Sequence, residues 1–150
     1  MTSAAVALRF PSLEWFEALK GIYNQEVELQ RRNGQADTTM AVRCGDEIYR
    51  LVFAVYSITE VSRINESGLN DVDFYLELAP ATWREMLEDI KKHGRAEGQY
   101  TLNSLDGADP DGIARSRAGY SDGDARDAFY RFNQSFQDLF DLSARLETTY

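Results

Sequence analysis

The sequence holds one cysteine and one histidine among its 150 residues. A lone Cys44 cannot close an internal disulfide, and a single His93 excludes any Cys/His zinc cluster. Basic charge is also scarce, with 16 Lys and Arg against 25 Asp and Glu and a formal net charge of −9. A chain of that sign lacks the positive field that supplies most affinity for nucleic acid or anionic lipid surfaces. Neither nucleic acid nor direct anionic-membrane binding is expected. No run approaches the roughly 20 apolar residues that span a bilayer. Residues 4–8 are apolar but short, and they lack both a basic leader and a small-residue cleavage site. Residues 1–10 are therefore expected to form a frayed arm, and a soluble protein in a reducing, cytoplasmic setting is expected. Motifs that cradle phosphates or activate nucleophiles are missing as well: the chain has no P-loop, no Rossmann fingerprint, no Gly-x-Ser-x-Gly elbow and no His-Glu-x-x-His helix.

What is present is 43% apolar residues and 12% aromatics, enough to fill the core of one domain, expected over residues 11–150. Ser12 and Glu14 mark a helix start, and Leu13, Phe16, Leu19, Ile22 or Tyr23, and Val27 recur at helical spacing. One amphipathic helix is predicted over 13–30, closed by Arg31-Arg32-Asn33-Gly34. A hairpin over 38–44 and 47–56 follows, turning at Gly45-Asp46. In its second arm Ile48, Leu51, Phe53 and Val55 break parity, which calls for a bulge near Arg50 or for a sheet covered on both faces. Residues 58–64 alternate like an edge strand, and Val72, Phe74, Leu76 and Leu78 share one face of a fourth strand.

Pro80 opens a helix over 81–93 with Trp83, Met86, Leu87 and Ile90 along one stripe, and Lys91-Lys92-His93-Gly94 closes it. His93 is thereby a capping or solvated residue. A fifth strand is predicted over 99–104. Residues 105–124 are rich in Gly, Asp and Ser and are expected to form a flexible loop. Within it, Asp106 to Gly112 evokes a calcium loop. With Gly112 at the glycine position, however, Gly107 and Ala118 fall where Asp and Glu ligands are required. No metal site is expected. A long helix over 125–147 ends the chain, carrying Phe129, Phe132, Phe136, Leu139 and Phe140 on one stripe. The fold class is α+β, a roughly five-stranded, largely antiparallel sheet covered by an N-terminal, a central and a long C-terminal helix.

Two segments carry a family resemblance. Phe10-Pro11-Ser12-Leu13-Glu14-Trp15-Phe16-Glu17-Ala18-Leu19 is similar to the opening helix of bacterial members of the sterol-carrier-protein type-2 family. Asp73-Phe74-Tyr75-Leu76-Glu77-Leu78, leading into Pro80-Ala81-Thr82-Trp83-Arg84-Glu85-Met86-Leu87, resembles the strand and helix that follow that family's hairpins. The resemblance spans about residues 10–94. It implies an apolar tunnel between sheet and helices for sterols, fatty acids or acyl-coenzyme A thioesters, with Phe16, Leu19, Trp83, Met86 and Leu87 facing it. After Gly94 the chain departs from the family pattern, and the Asp/Gly loop and the long final helix are unusual for it.

The candidate ligand-binding residues are those five together with Phe53 of the hairpin and Phe129, Phe132, Phe136, Leu139 and Phe140 of the last helix. The leading expectation is a carrier of an apolar small molecule that uses no cofactor. A protein-protein or dimerisation module built on the aromatic C-terminal helix, docking on a second copy or a partner enzyme, is one alternative. The other is a small cofactor-free isomerase or hydratase acting on an apolar substrate, with Asp73, Glu77 or Glu60 as base. Cys44 reads as a buried core thiol.

Overall fold

The structure is a computed structural model that describes residues 7–33, 37–54, 57–109, 112–115 and 122–150. The chain opens with strand β1, Ala7–Arg9, and helix α1, Leu13–Gln25. Ser12 caps α1 as its spacing predicts, its Oγ accepting from the Trp15 amide at 3.1 Å, and Trp15, Phe16, Leu19 and Tyr23 are buried. The helix expected to run to residue 30 breaks at Glu26, whose amide donates to the Tyr23 carbonyl at 3.1 Å, and α2 restarts over Val27–Asn33. The break corrects the apolar register. A continuous helix would aim Val27 at the core, whereas Val27 is 58% exposed and Leu29 packs inward instead.

Three strands follow: β2, Thr38–Cys44; β3, Glu47–Ala54; and β4, Ser57–Ile64. Gly45, at φ 62°, supplies the left-handed residue that the tight β2–β3 turn needs. Val55, expected near the end of the second arm, lies outside the described residues. A 3-10 turn over Glu66–Asp71 leads to β5, Phe74–Leu78, and Pro80 opens α3, Pro80–His93. Helix α3 ends on Gly94 at φ 82°, as its sequence predicts, with Trp83, Met86, Leu87 and Ile90 buried.

The next segment departs from expectation. Instead of a strand over 99–104, a 3-10 turn at Gly98–Tyr100 is followed by helix α4, Leu102–Ala108. Thr101 caps α4, its Oγ1 accepting from the Ser104 amide at 3.2 Å, and that cap outweighs the strand-like composition. The fifth strand is β6, Ala114–Arg115, inside the stretch expected as a loop over 105–124. Asp106 orders it. Its buried carboxylate accepts from the Ile113 amide at 2.8 Å and from the Tyr130 hydroxyl at 2.9 Å, so the acid that evoked calcium serves as a hydrogen-bond acceptor within the fold. Residues 110, 111 and 116–121 of that stretch lie outside the described residues.

Helix α5, Asp122–Asp141, is shorter than the predicted 125–147 at its C-terminal end; a 3-10 turn at Leu142–Arg145 and strand β7, Glu147–Thr149, replace that end. Strand β7 pairs in parallel with β1, Ala7 opposite Glu147, and the Phe10 amide donates to the Thr149 carbonyl at 2.8 Å. Residues 7–10 are therefore strand and core and not frayed, while residues 1–6 lie outside the described set. Lys91 locks this corner: its ammonium donates to the Ala144 and Leu146 carbonyls, both at 3.1 Å, and pairs with Glu147 at 2.9 Å.

The main sheet has the order β4-β3-β2-β5-β6, antiparallel except for the β2–β5 pair. Its inner face, with Met40, Val42, Tyr49, Leu51, Phe53, Phe74 and Leu76, carries the principal core with residues from α1, α3 and α5. The outer face buries Ala41, Ile48 and Tyr75 with Leu69 and Val72 of the segment after β4. Ile48 thus breaks parity because both faces are covered. The register shift lies between Val52 and Phe53, where Thr59 is the extra residue on β4, and not near Arg50. Val72, expected beside Phe74, belongs to the outer cluster because β5 begins after it.

Candidate ligand-binding face and a polar cleft

Helix α5 lays its aromatic stripe on the sheet. Phe129, Phe136, Leu139 and Phe140 are fully buried, and Phe132 packs half-buried against the same core. Phe136 sits between strands, its ring centroid 5.5 Å from Phe53 and 5.4 Å from Phe74, with Phe132 at 6.3 Å. Phe140 reaches Trp83 at 5.4 Å, and the Trp83 indole donates to the Arg43 carbonyl at 2.9 Å. Phe16 stacks on Tyr49 at 4.9 Å. Leu19, Met86 and Leu87 complete the cluster.

All eleven residues singled out from the sequence are brought into one apolar cluster. None of them lines either of two surface clefts described below. Their stripe is occupied by mutual contact, ring against ring at the offsets that aromatic quadrupoles favour. The apolar face of α5 that a dimer would use is turned inward on the chain's own sheet.

The three strand carboxylates hold the sheet together. Asp73 accepts from the Thr38 hydroxyl at 3.0 Å and the Thr39 amide at 2.9 Å, tying β2 to the start of β5. Glu77 lies 2.9 Å from Arg115 and 3.7 Å from Arg43, and Glu60 lies 2.7 Å from Arg50. Burial pushes the Cys44 thiol up to about 11, with the Glu47 charge adding to the effect, which makes it a poor nucleophile at neutral pH. His93 bonds Asp89 at 2.9 Å on the last turn of α3. No group of three His, Cys, Asp or Glu able to hold a metal ion occurs among the described residues, and no helix there is long and apolar enough to cross a membrane.

Sequence reasoning missed the larger cleft. It occupies about 1330 Å³ between α2, the 94–98 segment after α3, and the C-terminal half of α5. Leu29, Ala96, Leu142 and Ala144 supply its apolar wall, and Ser135, Asp138 and Asp141 come from α5. Asp138 Oδ1 accepts from Gln134 Nε2 at 3.0 Å. Asp141 Oδ1 accepts both the Ala96 amide at 3.0 Å and Gln137 Nε2 at 2.9 Å. Burial raises the Asp141 carboxyl above its ordinary range, and the neighbouring Asp138 charge pushes the same way. The signal in the sequence is Asp138-x-x-Asp141, two acids one turn apart at the negative end of a helix whose last turn has no basic residue. The smaller cleft, about 710 Å³, lies between the β2–β3 turn, the start of α3 and α4.

No family model matches the chain, and no curated protein matches it. Solved structures do. A conserved hypothetical protein of Thermus thermophilus, described as possibly a sterol carrier protein, aligns with 17% identity over 99% of this chain and 97% of its own, at a TM-score of 0.66. A crystal structure of sterol carrier protein 2 aligns with 14% identity over 90% of this chain and 97% of its own, at a TM-score of 0.61. The sheet order, the helical cover and these two likenesses agree: the chain has a sterol-carrier-protein-2-like α+β fold.

Proposed function

We propose that this protein binds and carries an apolar small molecule, a sterol, a fatty acid or an acyl-coenzyme A-like ligand, between the inner face of the sheet and α5. The observation that carries the proposal is the contact of α5 with the sheet, where Phe53, Phe74, Phe132 and Phe136 meet only through ring contacts. Hydrocarbon can replace hydrocarbon there without orphaning a polar group. The likeness of the fold to sterol carrier protein 2 supports the same reading.

Because the stripe is packed, binding is an exchange in which the ligand displaces part of α5. Lifting Phe129, Phe132 and Phe136 off the core costs about 2–3 kcal/mol for each of the two fully buried rings and about 1–2 kcal/mol for half-buried Phe132, or roughly 5–8 kcal/mol together. At about 0.8 kcal/mol per buried CH₂, an eight-carbon chain returns only about 6 kcal/mol and a sixteen-carbon chain about 13 kcal/mol. Ligands must therefore be long. In a displacement titration with a fluorescent fatty acid, hexadecanoate is expected to compete and octanoate to fail. Native mass spectrometry after gentle purification should show a co-purifying or exchangeable apolar molecule. A protein that yields no lipid on extraction and binds neither the fluorescent fatty acid nor a sterol refutes carriage.

A further inference from the structure

We propose that helix α4 is the gate of the apolar site: two solvent-accessible side-chain hydrogen bonds latch the N-terminal half of α5 to α4, and their release sets how fast a ligand enters. The gate rests on the carriage reading above and names what regulates that site.

The two helices are tied antiparallel to each other by three hydrogen bonds. The Leu102 amide donates to Gln137 at 2.7 Å, Asn133 Nδ2 donates to Asn103 Oδ1 at 2.7 Å, and the Tyr130 hydroxyl donates to Asp106 Oδ2 at 2.9 Å. The ties change in kind along α5. At Gln137 the donor is a partly buried backbone amide of fully buried Leu102, which loses its acceptor if α5 leaves. At Asn133 and Tyr130 both partners are side chains. The asparagine pair is exposed, and Tyr130 is 55% exposed, so water takes over these donors and acceptors as they separate. Gln137 is thus the hinge, and the other two pairs are the latch.

Asp106 lets the latch open without loosening the sheet. Its Oδ1 accepts from the Ile113 amide at 2.8 Å in a buried hydrogen bond, while Oδ2 takes the Tyr130 hydroxyl. One carboxylate therefore holds the approach to β6 firmly and α5 releasably. Helix α4 itself stays on the body of the protein, because Thr101 caps it and Leu102 and Leu105 pack into the core. The rings next to the latch are fully buried Phe129 and half-buried Phe132, so its release uncovers the end of the aromatic face that yields at least cost.

Stopped-flow uptake of a fluorescent hexadecanoate analogue by the full chain at pH 7 reads the gate. With ligand bound, α5 stays lifted, so the latch opposes uptake and not release. Tyr130→Phe, which keeps the ring and deletes the hydroxyl, is expected to raise the uptake rate about fivefold, the factor that a hydrogen bond of ordinary net strength represents, with the release rate unchanged. Asn133→Ala should act in the same direction. Joining Asn103→Cys to Asn133→Cys with a short bismaleimide should stop uptake; Cys44 is buried and stays outside that reaction. Uptake by the cross-linked chain at the wild-type rate overturns the proposal. So does acceleration by Gln137→Ala without any by Tyr130→Phe, which puts the opening at the other end of α5. Relaxation dispersion on the ligand-free ¹⁵N-labelled chain keeps the gate apart from the carriage it serves. Exchange at the amides of Tyr130 to Asn133 that grows in Tyr130→Phe supports the latch even where no probe binds, and carriage alone then fails. Dispersion and uptake both unchanged by Tyr130→Phe overturn the latch and leave carriage standing.

Discussion

Replacing Phe136 with alanine tests whether the stripe beneath α5 is packed as firmly as its contacts imply. The ring is fully buried and lies 5.5 Å from Phe53 and 5.4 Å from Phe74. Truncation of a buried phenylalanine costs about 3–5 kcal/mol. Two close ring partners place Phe136→Ala in the upper half of that range, because each aromatic pair contributes about 0.5–1.5 kcal/mol beyond area burial. Transfer alone accounts for about 2–3 kcal/mol. The excess of roughly 2 kcal/mol corresponds, at about 24 cal/mol per Å³, to a residual hollow of roughly 80 Å³. Urea unfolding at 25 °C and pH 7, followed by tryptophan fluorescence, reads the difference from the midpoint shift at constant slope. Trp15 and Trp83 are both fully buried, so the signal reports on the core. A loss of about 4 kcal/mol is expected. A loss below about 1.5 kcal/mol with an unchanged slope would refute the reasoning, since so small a penalty means Phe136 already borders open space.

Two further substitutions probe the polar anchors. Asp106→Ala removes the acceptor shared by the Ile113 amide and the Tyr130 hydroxyl and should cost about 2–4 kcal/mol, given about 1–3 kcal/mol for a buried donor left unmet. Amide exchange at Ile113 should accelerate before that at Leu76; equal protection in both proteins would dismiss Asp106 as the anchor of β6. Asp141→Asn bears on pH. The folded Asp141 carboxyl titrates above its ordinary 3.8, so its stabilising contribution is complete below 3.8 and is lost as pH rises through the raised folded value. The asparagine variant should therefore gain melting temperature on wild type as pH climbs from 3.8 towards neutrality. A difference independent of pH would contradict the direction of the shift.

The elements legible in the sequence are those whose signals are local and agree with one another. The α3 stripe of Trp83, Met86, Leu87 and Ile90 comes with Pro80 before it and Gly94 after it, and the β2–β3 hairpin turns on Gly45-Asp46 between two β-rich arms. The errors fall where a distant partner decides. Gln99 to Ser104 has strand-like composition, yet the Thr101 cap and a 2.7 Å hydrogen bond from the Leu102 amide to Gln137 make it the start of a helix. Residues 7–10 look frayed until β7 arrives from 140 residues further along the chain to pair with β1. Composition could gather the eleven apolar candidates, because helical and strand periods sort faces. It could not tell a lined tunnel from a filled core, which depends on the separation between α5 and the sheet.

In the proposed carriage, the polar ties of α5 decide where a ligand enters. The acidic side is tied at its C-terminal end: Asp141 holds the Ala96 amide at 3.0 Å, and Gln137 holds the Leu102 amide at 2.7 Å. Phe140 adds its contact with Trp83 on the same end of the helix. Towards the N-terminal end, Phe129 and Phe132 are held by apolar contact, with Tyr130 bonded to Asp106 and Asn133 to Asn103 at 2.7 Å on the α4 side. Apolar contacts are regained when a hydrocarbon takes their place, whereas the amides of Ala96 and Leu102 would lose acceptors that no hydrocarbon replaces. In the proposed carriage, a ligand entering beneath Phe129 and Phe132 with α5 turning about the Gln137–Asp141 end leaves those two amides paired and gives up the Tyr130–Asp106 and Asn133–Asn103 side-chain hydrogen bonds instead, Tyr130 being 55% exposed and able to bond water.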